Sequence, residues 1–115
     1  MRRPTRNEYG VHLDRNGYAP TIIPHMPLCC NCCGMYRETA RHEIFGGSRR
    51  TASKALGLWV NVCPACHDEI HHGKNAAALQ AFYHKRGQQT AMAYYHWTVD
   101  DFRRRFGKNY LDSEE

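Results

Sequence analysis

The chain has 115 residues, of which 42% are apolar and 23% charged, with a formal net charge of +5. That composition excludes a disordered polymer, and the length allows one domain with a modest core. It holds no run of roughly 20 apolar residues that could span a bilayer, and no apolar run follows Met1-Arg2-Arg3 as in a secretory leader, so a reducing cytoplasm is expected.

Residues 1–27 hold four of the five prolines and several arginines, and read as an irregular basic arm with a turn at Asn16-Gly17. Thr21-Ile22-Ile23 is either a short strand or an anchor on the core. His12 and His25 lack evident partners and read as surface residues. Residues 28–110 carry the folded domain, beginning with a cysteine-rich knuckle, Cys29-Cys30-Asn31-Cys32-Cys33-Gly34. Met35 to Phe45 is expected to hold a strand ending at Ile44-Phe45, followed by a turn at Gly46-Gly47-Ser48. Arg49, Arg50 and Lys54 then cluster in a loop, as a solvated face or a set of phosphate contacts.

Leu58 to Val62 is a β-rich run that enters a second cysteine pair. Pro64 suits the first turn of a helix, which Gly73 would close. A second helix starts after Asn75 and carries Leu79, Phe82, Tyr83, Met92 and Tyr95, with Gly87 as a site where it could bend or split. Thr98 caps a last helix from Val99 to Phe106, with acids in its first turn and arginines towards its end. Residues 111–115 form an acidic tail, expected to fray. The fold class is a small α+β domain in which strand, loop, strand and helix precede the C-terminal helices.

Two constellations carry the chemistry. In a reducing compartment, six cysteines in C-x-x-C spacing favour zinc over disulfides. Cys30, Cys33, Cys63 and Cys66 would close a tetrahedral structural zinc site. Cys29 with Cys32 is the competing register for the first pair. Gly34, directly after Cys33, favours the former because glycine permits the tight turn. The second constellation is histidine. His67 and His71 lie at i and i+4 on one helical face. With His42 from a facing strand they would leave positions open on a divalent ion, where a phosphodiester and water could bind. Glu43 and His42 are the candidate bases. Successive strand residues face opposite ways, so both cannot face the ion unless the strand is bulged or twisted.

This layout resembles the HNH, or His-Me finger, nucleases in their small phage-encoded branch. The stretches that carry the resemblance are Cys30-Asn31-Cys32-Cys33-Gly34, Arg41-His42-Glu43-Ile44-Phe45-Gly46-Gly47, Gly57-Leu58-Trp59-Val60 and Cys63-Pro64-Ala65-Cys66-His67. They cover about residues 28–73. His67-x-x-x-His71 is similar to the metal-binding helix of nuclease colicins, and the stretch from Asp101 to Tyr110 resembles the tail of phage proteins of this type. The resemblance implies a ββα-metal finger with a structural zinc ion and a catalytic Mg²⁺, Mn²⁺, Ni²⁺ or Zn²⁺ ion. It also implies hydrolysis of DNA in a bacterial host cell, with His42 as ligand and Glu43 as base. The chain departs from the family twice. Glu43 stands where the family has histidine, and Leu58 stands where it has a middle asparagine, Asn61 being out of register. The alternative reading is a non-catalytic zinc module that binds DNA or a phage packaging or replication protein.

Overall fold

The computed structural model describes residues 5–111. Arg2, Arg3, Pro4 and all but the first residue of the acidic tail lie outside them. Two strands, β1 (Ala40–Glu43) and β2 (Trp59–Val62), form an antiparallel ribbon in which His42 faces Val60 and Glu43 faces Trp59. Among the described residues four α-helices follow: α1 (Arg50–Ala55), α2 (Pro64–His72), α3 (Ala76–Tyr95) and α4 (Val99–Phe106). No helix among the described residues is long and apolar enough to cross a membrane.

The pleat sorts the ribbon into two faces. Ala40, His42, Val60 and Val62 share the side that packs on α2 and α3, where Val60, Val62, Ile70 and Tyr83 are buried. Arg41, Glu43, Trp59 and Asn61 share the other. That second face is covered by the N-terminal arm, which is irregular in backbone yet firmly attached. Trp59 Nε1 donates to the Ala19 carbonyl at 2.8 Å, and Thr21 Oγ1 donates to the Trp59 carbonyl at 2.6 Å. The backbone N–H of Ile22 donates to the Gly57 carbonyl at 2.9 Å, and Ile23 is buried. Thr21-Ile22-Ile23 is therefore the anchor and not a strand. Gly57 makes the approach possible: it sits at φ +76°, and a Cβ there would stand 2.5 Å from the Pro20 carbonyl oxygen.

Three local expectations need correction. The first strand ends at Glu43 and not at Ile44-Phe45, although Ile44 adds one more rung by donating to the Leu58 carbonyl at 3.0 Å. Arg49, Arg50 and Lys54 lie on a 3-10 turn (Gly47–Arg49) and on α1, and not in a loop. Buried Ser53 fixes that helix: its hydroxyl donates to the Leu58 carbonyl at 2.6 Å and accepts from the Phe45 N–H at 3.1 Å. Gly87 neither bends nor splits α3, which is continuous over 20 residues. It is buried because Ile44 and Phe45 press on it; a Cβ would stand 3.0 Å from Ile44 Cγ2 and 3.1 Å from the Phe45 ring. The helix continues because the missing side chain is replaced by packing.

Thr98 caps α4 as expected, in a reciprocal box with Asp101: Asp101 N–H donates to Thr98 Oγ1 at 3.1 Å and Thr98 N–H donates to Asp101 Oδ2 at 2.9 Å. Asn75 precedes α3 without capping it through its side chain. Phe102 and Phe106 of α4 then pack on Phe45, ring centroids 5.4 and 4.7 Å away. The residues just after β1 are thus held from three sides, and the end of that strand is a fixed point in the fold.

Candidate metal centres

Helix α2 carries both candidate centres. Cys63 stands at its N-cap position and Cys66 in its first turn, facing Cys30 and Cys33 of the knuckle. One Sγ from each lies within 4.8 Å of the other three. A tetrahedral zinc–thiolate site, with bonds of about 2.3 Å, needs sulfur–sulfur edges of about 3.8 Å, so this set needs only a small contraction. The knuckle is tied to the sheet by Asn31 N–H donating to the Asn61 carbonyl at 2.8 Å. Of the competing pair, Cys29 lies instead in an antiparallel bridge with Tyr36, while Cys32 packs partly buried beside the core.

The electrostatics of the thiols also fit a dication. Burial alone would raise the Cys30 thiol, but N–H groups of Cys33, at 3.4 Å, and Cys63, at 3.3 Å, donate to its sulfur. Together with the Cys32 N–H they bring it down to about 6. Burial and the neighbouring sulfurs push the Cys66 thiol far up. One sulfur is therefore ready to ionise while another cannot unless positive charge arrives, which a bound Zn²⁺ would bring.

The second centre lies on the inner face of β1 and the next part of α2. His42 is only 8% exposed. Its ring centroid is 5.4 Å from that of His67 and 5.2 Å from that of His71, and these two are 4.8 Å apart. One ring nitrogen from each lies within 4.8 Å of the other two. Burial, then the proximity of His71 and His67, lowers the His42 pKa to about 4. Burial and His71 lower that of His67 as well. At neutral pH His42 is therefore uncharged, the form that ligates a metal. His72 lies to one side, its ring 6.0 Å from that of His71. Three imidazoles without a carboxylate suit zinc, nickel or another borderline transition ion better than Mg²⁺, and three ligands leave a position open.

Glu43 points away from this set, on the arm side of the ribbon. Its carboxylate accepts a hydrogen bond from the Tyr18 hydroxyl and one from Arg50 Nε at 2.9 Å. Burial would raise its pKa, but Tyr18 and Arg50 outweigh that and hold it below the usual carboxylate value. Burial and the Glu43 carboxylate in turn push the Tyr18 hydroxyl up to about 12. The three candidate phosphate contacts also differ in place. The Arg50 side chain is well exposed beyond its ion pair. Arg49 Nη1 donates to the Arg105 carbonyl at 3.2 Å, and its guanidinium packs against Gly107. Lys54 Nζ sits 4.8 Å over the Tyr18 ring.

Tyr18 and Tyr83 are the residues that sequence reasoning missed. Tyr83 is buried against the histidines, its ring 6.3 Å from that of His42, and its hydroxyl donates to Asn31 Oδ1 at 2.8 Å. It therefore links α3, the knuckle and the histidine set. Tyr18 reaches Glu43 across 25 residues of chain, and no local pattern marks such a pair.

The fold and the sites define a small α+β domain with a two-stranded sheet, four helices and cysteine and histidine clusters able to hold metal. No protein-family model, curated protein or solved structure matches this chain.

Proposed function

We propose that this chain is a ββα-metal finger endonuclease of the HNH type, hydrolysing phosphodiester bonds of DNA. In this reading Cys30, Cys33, Cys63 and Cys66 hold a structural zinc ion, and His42, His67 and His71 hold the catalytic ion. The observation that carries it is the convergence of three imidazoles, from a strand end and the following helix, directly beside four clustered thiols. A divalent ion in the histidine set would act as a Lewis acid towards the developing phosphoryl charge. The chain's own contribution is to place that ion. Val60, paired with His42 across the ribbon, and Tyr83, its ring 6.3 Å away, stand beside the buried His42, and α2 fixes the other two imidazoles one turn apart.

Glu43 is a positioning residue in this reading. A carboxylate that is hydrogen-bonded by Tyr18, paired with Arg50 and depressed in pKa is a poor proton acceptor. It instead aims the Arg50 guanidinium, whose exposed remainder can meet a phosphate oxygen. The test is nicking of supercoiled plasmid with Mg²⁺, Mn²⁺, Ni²⁺ or Zn²⁺ added in turn, beside His67→Ala. Cutting is expected with the transition ions, weakest with Mg²⁺, and lower by about 100-fold or more in the variant. The engagement of Glu43 also supports a second reading, a non-catalytic zinc module that binds DNA or a phage packaging or replication protein. Absence of cutting with every ion would favour it.

A further inference from the structure

The knuckle exposes more apolar surface than its own folding uses. Met26, Leu28, Met35 and Tyr36 are 71%, 68%, 57% and 75% exposed, although they surround the buried Cys30. Backbone bonds gather them on one turn: Cys29 N–H donates to the Met26 carbonyl at 3.2 Å, and Cys30 N–H donates to the Met35 carbonyl at 2.8 Å. The bridge between Cys29 and Tyr36 closes it. Leu28 and Tyr36 line a groove of roughly 290 Å³ whose other walls are Arg37, Glu38 and Thr39. Leu28 itself holds φ at +66°, in the left-handed region where leucine is disfavoured. Glycine would serve that turn with less strain, so the leucine side chain points to a use outside the fold.

Methionine, tyrosine and arginine are the residues enriched where proteins meet, and several large apolar side chains exposed on one turn mark a contact site. The rim charges indicate the occupant. Arg37 and Glu38 are adjacent, exposed and opposite in sign, and neither makes an ion pair or side-chain hydrogen bond among the described residues. A rim of zero net charge gives a polyanion no advantage. It is, however, its own complement: a two-fold axis would set Arg37 of each copy against Glu38 of the other. We propose that the face formed by Met26, Leu28, Met35 and Tyr36 is a homodimer interface, closed by two reciprocal Arg37–Glu38 pairs. This pairing is independent of what the histidine centre does.

Sedimentation equilibrium of the full chain, from about 1 to 200 μM, tests it. The parent is expected to show a concentration-dependent dimer. Leu28→Gly with Tyr36→Ser should raise the dissociation constant at least tenfold with an unchanged circular dichroism spectrum, since the glycine relieves the strained backbone. Arg37→Glu and Glu38→Arg should each weaken association severalfold, and the two together should restore it. A parent that stays monomeric over the whole range would overturn the proposal. So would a dimer insensitive to the knuckle variants, or a double charge swap no tighter than the single ones.

Discussion

The four cysteines and the three histidines share helix α2, yet they differ in donor number and exposure. The thiols form a complete set of four, with Cys30 and Cys63 buried. The histidines form a set of three, with His42 buried and His71 open to solvent. A closed set of soft donors has no position for a substrate and can only hold the chain together. A set of three imidazoles would leave room on any ion it held. The same helix can therefore carry a staple and a reactive site within one turn of each other, and removing either should have consequences of a different kind.

The largest expected effect is at the staple. Cys63→Ser should leave the chain unfolded by circular dichroism. Metal-linked folding energies of about 10–16 kcal/mol match or exceed a typical domain stability of about 5–15 kcal/mol. Prolonged chelation of the parent should do the same. A variant that still melts cooperatively would show that the thiols are ordinary core residues.

The next effect belongs to the open set and should spare the fold. His67→Ala should lower plasmid cutting by about 100-fold or more, because Lewis-acid stabilisation is worth several kcal/mol and each 1.4 kcal/mol is tenfold. Its thermal midpoint should stay close to that of the parent. A large fall in the midpoint would make the histidines part of the staple.

Acid should separate the sets a third way. The folded-state pKa of His42 is lowered from 6.5 to about 4, so the unfolded chain takes up that proton more readily. Its contribution to the stability of protein without an ion at the histidines is fully present above 6.5 and is lost as pH falls towards 4. Thermal midpoints measured across that window should fall less steeply in His42→Gln. Equal slopes would mean that His42 is not buried uncharged.

The smallest effects concern the outer face of the ribbon. Glu43→Gln should reduce cutting by less than about tenfold, and Arg50→Ala should match it, because both disturb one ion pair. A loss of about 10²–10⁴-fold in Glu43→Gln alone would give the base role to Glu43. Arg50→Ala should also lower the salt dependence of DNA binding by about one unit of slope, while Arg49→Ala and Lys54→Ala leave it unchanged. An equal fall in all three would return Arg49 and Lys54 to the phosphate contacts.

The sequence marks the two clusters well because metal ligands and helix caps work over short spacings. C-x-x-C places two sulfurs for one ion, His67 and His71 share a face by helical period, and Thr98 with Asp101 is a local box. What it did not mark depends on distant chain. Nothing near Gly87 announces that Ile44 and Phe45 will fill its missing side chain. Nothing near Glu43 announces Tyr18, and so the free base suggested by register lies inside a hydrogen-bonded ion pair. The described part of the arm forms no helix or named strand, and its hydrogen bonds to Gly57 and Trp59 are tertiary contacts without a periodic signature.

Counting ions tests most directly whether one short helix serves two different metal centres. Native mass spectrometry of purified parent and His67→Ala should find one tightly held zinc in both. After addition of Ni²⁺ or Zn²⁺, a second ion should appear in the parent alone. Folded parent without zinc, or a second ion bound equally by His67→Ala, would contradict the account.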